Sequence, residues 1–417
     1  MIIVASHWEN TVYKDKANFL DCLLDVIPAQ SDLAQYIRED RCFLIQFPPN
    51  QSIAELERCI IDITTQPRWS EKIPHEWGFL NSEINEKKLE RIVPISDIHR
   101  RLPVQKTEKI QSAADMLRYY HDAGRVLYFN EKGLKDSVIT DVQWFVNAFK
   151  TIITDRLHVR GYTASRQDWN EYYNTGNLKD SLLVDIWDLE EKSSNTQHKK
   201  AESEHCWGLL HYKGSMLKYM ERLGLMAVGP DHHYIPCMNK KKFEETQKKF
   251  IQESTSKTSV LVYAFDFLPY FLFYRVVVAC MKISKWEVLK DNDIKCLYKN
   301  AAMFKYEDHY VVIFVTPGSI QLQIIRRGGE LIRDITVAIR QRIDQILIDV
   351  TETFHKHLSF RIGHTCMKEQ DQIIGLEIEG RFLEESELGS GKNVKCPHHE
   401  VDNYHTINAD YLKEFWK

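Results

Sequence analysis

The sequence predicts an α+β multidomain protein, with a short α/β piece first, a long helical stretch next and a compact α+β domain after it. Three observations predict this. Near the start, short apolar runs alternate with helical patterns, the order of an α/β unit. Farther on, Tyr310–Val315 and Ile320–Ile324 flank Thr316-Pro317-Gly318-Ser319, the outline of an antiparallel hairpin. Directly after it, Ile335, Ile339, Ile343, Ile346 and Val350 recur at helical spacing.

Element by element, Met1–Ser6 is a continuous apolar run and reads as a buried strand of the parallel kind. Residues 18–27 place Phe19, Leu20, Leu23, Leu24 and Ile27 on one helical face. Cys42–Ile45 is a second buried strand, stopped by Phe47-Pro48-Pro49. Ser52 with Glu55 three residues on is a capping-box pattern for a helix reaching Thr65.

From Trp69 to Phe250 the pattern is mostly helical. Gln111–Tyr120 is a helix with Ala114, Leu117 and Tyr120 or His121 on its stripe, stopped at Gly124, and Val126–Phe129 is a short strand. Val142–Ile153 and Met216–Leu223 are further helices, and Tyr234-Ile235-Pro236 is a strand. Helix, helix, strand, turn, strand is a winged-helix outline, present twice, with a polar loop over 190–204 between the copies.

In the third part Pro317 presets φ and Gly318 accepts a positive φ, so a type II turn is expected. The strand after it alternates apolar and polar residues, which predicts one buried and one wet face. Residues 330–358 predict a helix of roughly 40 Å, whose stripe needs a cover. From Lys368 onward the composition turns polar.

Composition narrows the class. The 417 residues are 43% hydrophobic and 27% charged, ordinary for globular chains and enough for several domains. Fifty-five basic against 59 acidic residues leave a net charge of −4, which argues against broad binding of nucleic-acid phosphates. The nine cysteines include no CxxC pair, so reduced thiols in an intracellular protein are expected. The first residues lack a basic stretch and a full apolar core, so no secretory signal is read there. The most apolar segment, 260–283, is broken by Asp266, Pro269 and Arg275 and reads as core rather than membrane span. Together these predict a soluble, cytoplasmic protein.

Several fragments, in order, carry a family resemblance. Met1-Ile2-Ile3-Val4-Ala5-Ser6-His7-Trp8-Glu9 is similar to the strand and guanine-specificity motif of a Ras-like Roc domain. Residues 43–50 stand where its last strand and base-capping loop would be. Pro67-Arg68-Trp69 through Trp77 resembles the start of COR, the region C-terminal of Roc. The most specific stretch is Leu117–Gly124 with Val126–Phe129 and Val138–Phe145. Met220–Leu225 with Tyr234-Ile235-Pro236, then Phe267-Leu268-Pro269 and Pro317–Ile320, resemble the later COR subdomains. The chain thus resembles the Roco family. The resemblance implies the end of a Roc domain at 1–64, COR-A with two winged-helix-like units at 65–257, COR-B at 258–367 and a polar extension at 368–417. It further implies a homodimer through COR-B, coupling to a Roc GTPase and a signalling role.

The chemistry expected is that of a scaffold. GTP binding needs a Gly-rich P-loop and Mg²⁺ ligands. Leu388-Gly389-Ser390-Gly391-Lys392-Asn393 fails as one, because Ser386 stands where the first glycine belongs and Asn393 replaces Ser or Thr. Ser6, His7 and Glu9 form a degenerate guanine-reading motif, with Glu9 in place of the family's Asp. Base contact without phosphate contact is weak, so no GTP and no Mg²⁺ are expected without the rest of a Roc domain. Cys366, Cys396, His398, His399 and His405 carry metal-capable atoms but only one close pair, short of a zinc pattern. The Val142–Ile153 helix is too apolar to read DNA. No nucleophile–base or paired-carboxylate arrangement stands out. The expectation is therefore a non-enzymatic scaffold, with the long helix and the hairpin supplying the paired surface. A fragment of a full Roc GTPase, possessing a kinase domain in some family members, is the alternative, and a winged-helix nucleic-acid binder the third reading.

Overall fold

The computed structural model describes residues 2–6, 8, 15–26, 37–46, 51–67, 73–86, 90–101, 109–153, 166–194, 208–244, 251, 254, 256–291, 293–354, 358–365, 374–375, 382–389, 393–395 and 406–417. Helices and sheets are mixed as an α+β fold requires. The chain divides into two compact units, Met1–Ser82 and Glu83–Lys417.

In the first unit β1 (Ile3–Ala5) pairs in parallel with β2 (Cys42–Leu44), register Val4 to Phe43. Each strand leads toward a helix, α1 (Lys16–Val26) after β1 and α2 (Gln51–Thr64) after β2. Because α2 already includes Gln51, Ser52 lies within its first turn rather than at the cap expected for it. The unit buries little: Leu20 is the buried residue of α1 and α2 has none, leaving Ile60 and Ile61 exposed. A helix α3 (His75–Glu86) spans the division.

The helical stretch of the second unit is built from β3 (Ile92–Pro94), α4 (Ile95–Arg101), α5 (Lys109–Asp122), β4 (Ser137–Ile139) and α6 (Val142–Ile152). It continues with α7 (Arg166–Thr175), β5 (Asn177–Lys179), α8 (Asp180–Ser194), α9 (Lys213–Arg222) and β6 (His232–Tyr234). β3 pairs with β4 and β5 with β6, both antiparallel. On α5 the buried stripe includes the expected Leu117 and Tyr120, with Ala113 and Met116 in place of Ala114. Residues 126–129 do not form the expected strand; they contribute one bridge, Leu127 to Ile139. The Asp141 carboxylate caps α6 by accepting from Trp144 N at 2.9 Å, and it is ion-paired with Arg91. Trp144, Phe145, Ala148 and Ile152 turn inward from α6 to meet Trp187, Met216 and Tyr219.

The remainder is organised by one antiparallel sheet. Its strands are β7 (Ser256–Lys257), β8 (Leu261–Phe265), β9 (Glu287–Val288), β12 (Ala301–Tyr306), β13 (His309–Thr316), β14 (Ser319–Arg326), β15 (Phe360–Thr365) and β16 (Phe382–Glu384). The order is β16-β15-β8-β14-β13-β12-β9, with β7 paired to β14, and a small β10 (Lys290–Asp291)–β11 (Ile294–Lys295) ladder stands apart. The expected hairpin is β13–β14, register Thr316 to Ser319. Its turn is not type II: Gly318 is absent from the glycines with positive φ. On one face lie α10 (Tyr270–Met281) and α11 (Arg333–Phe354).

Two expectations about this sheet are corrected. Gln321 and Gln323 of β14 are wholly buried, not wet. Phe243, Tyr298 and Ile374 cover their face, while Gln321 Oε1 accepts from Gly375 N at 2.7 Å and Gln323 Nε2 donates to Thr258 O at 3.0 Å. The second correction concerns the surface expected to clasp a twin copy. α11 is 22 residues long, about 33 Å at the usual rise. Its Ile339, Ile343, Leu347 and Val350 are buried in the same core as Val311, Ile313, Leu322 and Ile324 of the hairpin. The stripe is covered inside one copy, because α10 and α11 lie side by side on that face.

A last strand pair, β17 (Asn393–Lys395) and β18 (Thr406–Asn408), precedes a short helix α12 (Ala409–Lys413), which ends against the sheet unit through Trp416.

Candidate functional site

Parallel pairing brings the ends of β1 and β2 together. Ile45 N donates to Ala5 O at 2.8 Å, and Trp8 N donates to Ile45 O at 3.1 Å. Ser6 lies exposed between these bonds. His7 and Glu9, its expected companions, lie outside the described residues, as do Cys366, Cys396, His398, His399 and His405. A cavity of about 660 Å³ runs between β2 and α2, against Phe43, Glu55 and Arg58, and Ser6 does not line it. Among the described residues no three His, Cys, Asp or Glu side chains are grouped to hold a metal. The six described cysteines are free thiols. Within 388–393, Leu388 is buried and Asn393 opens a strand; a P-loop lysine would precede a helix.

The better-built place is the junction between the helical stretch and the sheet. Arg275 of α10 donates from Nε to Leu223 O at 3.1 Å, capturing a carbonyl at the end of α9. Burial pulls its pKa down to about 10, so the guanidinium stays charged at neutral pH. Gly224 makes room for it: at φ +67, a Cβ there would lie 2.7 Å from Arg275 Cγ. Nearby, Lys282 Nζ stands 3.4 Å from Glu221 Oε2. Asn239 is a second staple. Its Nδ2 donates to Tyr234 OH at 3.1 Å and to Leu297 O at 3.0 Å, joining the two parts in a buried site. Ala227 and Tyr234, from the helical stretch, belong to the core beneath the sheet. The arrangement holds the helical stretch and the sheet of the second unit in one register; it positions no reacting group.

Sequence reasoning found neither Arg275 nor Asn239 as a staple, since each acts on a backbone carbonyl, and a carbonyl has no residue signature. It also saw no serine–histidine pair. The fold brings Ser259 Oγ within 3.4 Å of His364 Nδ1, near Glu385. This is a structural cluster, not a nucleophile. The Ser259 hydroxyl donates to Leu412 O at 2.8 Å, accepts from Trp416 Nε1 at 2.7 Å, and lies buried beneath the indole. Burial pushes His364 down to about 3, so it stays neutral.

That histidine makes stability depend on pH. Unfolded, it takes a proton near 6.5; folded, only near 3. Protons therefore favour the unfolded chain across that window. The contribution is fully present above about pH 6.5 and declines as the pH falls toward 3. The share from His364 at pH 5 is a loss of about 2 kcal/mol. Urea midpoints at pH 7 and pH 5 should show it, and His364→Asn should flatten the difference; an unchanged difference in the variant would contradict the assignment.

Similarity to known proteins places this framework. The model of the family described as C-terminal of Roc, COR-A domain, matches residues 74–202. The chain carries a COR-A domain of the Roco type. The probable serine/threonine-protein kinase pats1 of Dictyostelium discoideum is 22% identical over 294 residues, 68% of this chain and 8% of that protein. Cyclic GMP-binding protein C of the same organism is 30% identical over 115 residues, 25% of this chain and 4% of that protein. The chain therefore spans less than a tenth of the length of these curated relatives. The solved structure of Methanosarcina barkeri Roco2 RocCORdC bound to GDP covers 57% of this chain and 64% of its own, at 12% identity and a TM-score of 0.33, too low to bear on topology. The COR-A match takes in β3 through α8 and so includes the Arg91–Asp141 pair and the Trp144 core. Among the described residues, no helix is long and apolar enough to cross a membrane.

Proposed function

We propose that this chain is a COR-type scaffold of a cytoplasmic Roco signalling protein: it couples to a Roc GTPase, self-associates through its sheet domain, and neither binds nor hydrolyses GTP alone. The carrying observation is the COR-A match over 74–202, from a domain stapled onto the sheet domain by Arg275 and Asn239. In this reading β1, α1, β2 and α2 are the closing elements of a Ras-like Roc domain. The strand pairs β3–β4 and β5–β6, each with its helices, are the two winged-helix-like units of COR-A, and the sheet with α10 and α11 is COR-B.

The apolar surface left for a second copy is not the α11 stripe. Phe267, 70% exposed, and Phe271, 44% exposed, stand together at the head of α10. A stable pair buries more than about 1,000 Å² in total. Size-exclusion with light scattering at micromolar concentration should give twice the chain mass, and Phe267→Ser with Phe271→Ser should return a monomer. A strict monomer before substitution would overturn the self-association. Fluorescent GDP or GTP with Mg²⁺ should not bind, and tight binding would overturn the non-enzymatic reading.

The alignment with a protein named as a kinase over 68% of this chain favours a second reading, in which GTPase or kinase domains stand beside this region in a longer protein. A GxxxxGK[ST] string or a kinase motif set in the flanking coding sequence would decide for it.

A further inference from the structure

A groove of about 440 Å³ opens between the segment after α10, the end of β12 and α11. Its floor is apolar: Ile283 and Ile339, with the side of Trp286. Trp286 is 9% exposed and stacks toward Phe304 and Tyr306, with centroids 5.8 and 6.3 Å away, so the aromatic wall is fixed before anything arrives. The rim is polar. Lys285 and Arg342, both exposed, line it together with Ser284, Gln341 and Gln345.

Two features set this groove apart from ordinary wet surface. Its lining holds two cations and no carboxylate, in a chain of net charge −4. Several cations of the sheet unit are instead ion-paired: Arg340 with Glu385 at 2.6 Å, Arg326 with Asp308 at 3.6 Å, and Lys282 with Glu221 at 3.4 Å. Lys285 and Arg342 have no such partner among the described residues. In addition, Lys285 holds φ +69, a left-handed conformation that a lysine rarely adopts. The bonds Ile283 N to Cys280 O at 3.2 Å and Trp286 N to Ile283 O at 3.1 Å bracket the strained residue. Strain of this kind persists where the surrounding structure enforces it, and it is concentrated at binding sites.

We infer that this groove is a docking site for an acidic peptide segment of a partner protein, with a carboxylate held between Lys285 and Arg342 and a neighbouring apolar side chain on Ile283, Ile339 and Trp286. Arginine's planar fork matches a carboxylate, and lysine adds a compact charge across from it. A volume of about 440 Å³ is within the usual size of a ligand site and takes one or two side chains. A membrane surface fits poorly, because anionic lipid recognition uses clusters of roughly four to eight basic residues and this lining has two.

The test uses the full chain on an array of random dodecapeptides in which a central Leu-Glu is fixed, beside the same array with Leu-Gln. The unaltered chain should bind members of the glutamate set, with affinity at least tenfold above their glutamine counterparts. Lys285→Gln with Arg342→Gln, both exposed and so compatible with folding, should abolish that preference while leaving the circular dichroism spectrum and melting temperature unchanged. Absence of glutamate-dependent binding, or its survival in the folded double variant, would overturn the proposal. So would binding to phosphatidylserine vesicles that the same two substitutions remove, since the surface would then belong to a membrane.

Discussion

Gly176→Ala should destabilise the second unit by about 3 kcal/mol or more, the backbone strain and the collision acting together. Gly176 lies between α7 and β5 at φ +71. Left-handed geometry costs a residue with a Cβ roughly 1–2 kcal/mol. The space is also missing: an added Cβ would stand 2.4 Å from Ile235 O and 3.3 Å from Asn239 N. Both are backbone atoms, so no side chain can swing aside. The glycine is tied into place by Gly176 N to Tyr172 O and Ile235 N to Gly176 O, each 2.8 Å. Displacing Ile235 would strain the β5–β6 ladder and move Asn239, one of the two junction staples. A thermal melt should fall by roughly 4 °C or more for a unit of this size. Gly214→Ala is the control, for nothing lies within 4 Å of its Cβ position, and in a helix alanine is favoured over glycine by up to about 1 kcal/mol. Equal melting of the Gly176→Ala chain and the unaltered one would contradict the placement of Ile235.

Trp416→Ala is the second large effect, with an expected cost of about 3–5 kcal/mol. The indole is 2% exposed and packs in the core that also contains Leu347 and Val350. Its Nε1 donates to Ser259 Oγ, and its carbonyl accepts from Arg340 Nη1 at 2.9 Å. Arg340 is held in turn by Glu385, and burial opposes its charge while that partner keeps its pKa raised. Removing the indole empties a large volume and leaves the Ser259–His364 cluster open to water. The urea midpoint should drop, and limited proteolysis should then cut within 406–417. Trp416→Phe should retain most of the packing and lose only the Ser259 bond, costing about 1–2 kcal/mol. An alanine variant as stable and as protease-resistant as the unaltered chain would show that the segment contributes nothing.

Much of the architecture was legible from pattern. Continuous apolar runs marked β1 and β2 and their parallel pairing, but β1, expected to be buried, has no buried residue and leaves Val4 exposed. The Pro317-Gly318 pair between two β-rich runs marked β13–β14, and the isoleucine spacing marked α11. Short elements were missed. β5 has three residues, too few for a period to show; β6 (His232–Tyr234) was read two residues late, at 234–236; and 126–129, apolar enough for a strand, makes a single bridge. Alternation in β14 promised a wet face, but Phe243 and Ile374, far away in sequence, cover Gln321 and Gln323. The turn type was misjudged at Gly318, whose residue type permits a positive φ without requiring one.

Of the guanine-reading candidates, Ser6 is described and exposed at a strand end, and His7 and Glu9 lie outside the described residues. The junction staples were invisible because Arg275 and Asn239 bind the carbonyls of Leu223 and Leu297, and such bonds depend on place rather than on partner identity.

By itself, then, the amino-acid order determined the long helices and the main strands, that the chain mixes α and β, and which family fragments it carries. Periodicity is a local property, written within ten or twenty consecutive residues. What covers each apolar face was decided only in three dimensions. The α11 stripe required burial, yet its spacing could not say whether a twin copy or the chain's own sheet would supply it; Ile313, Leu322 and α10 do. Likewise Lys285 and Arg342, 57 positions apart in the sequence, became one rim only when α10 and α11 came to lie on the same face.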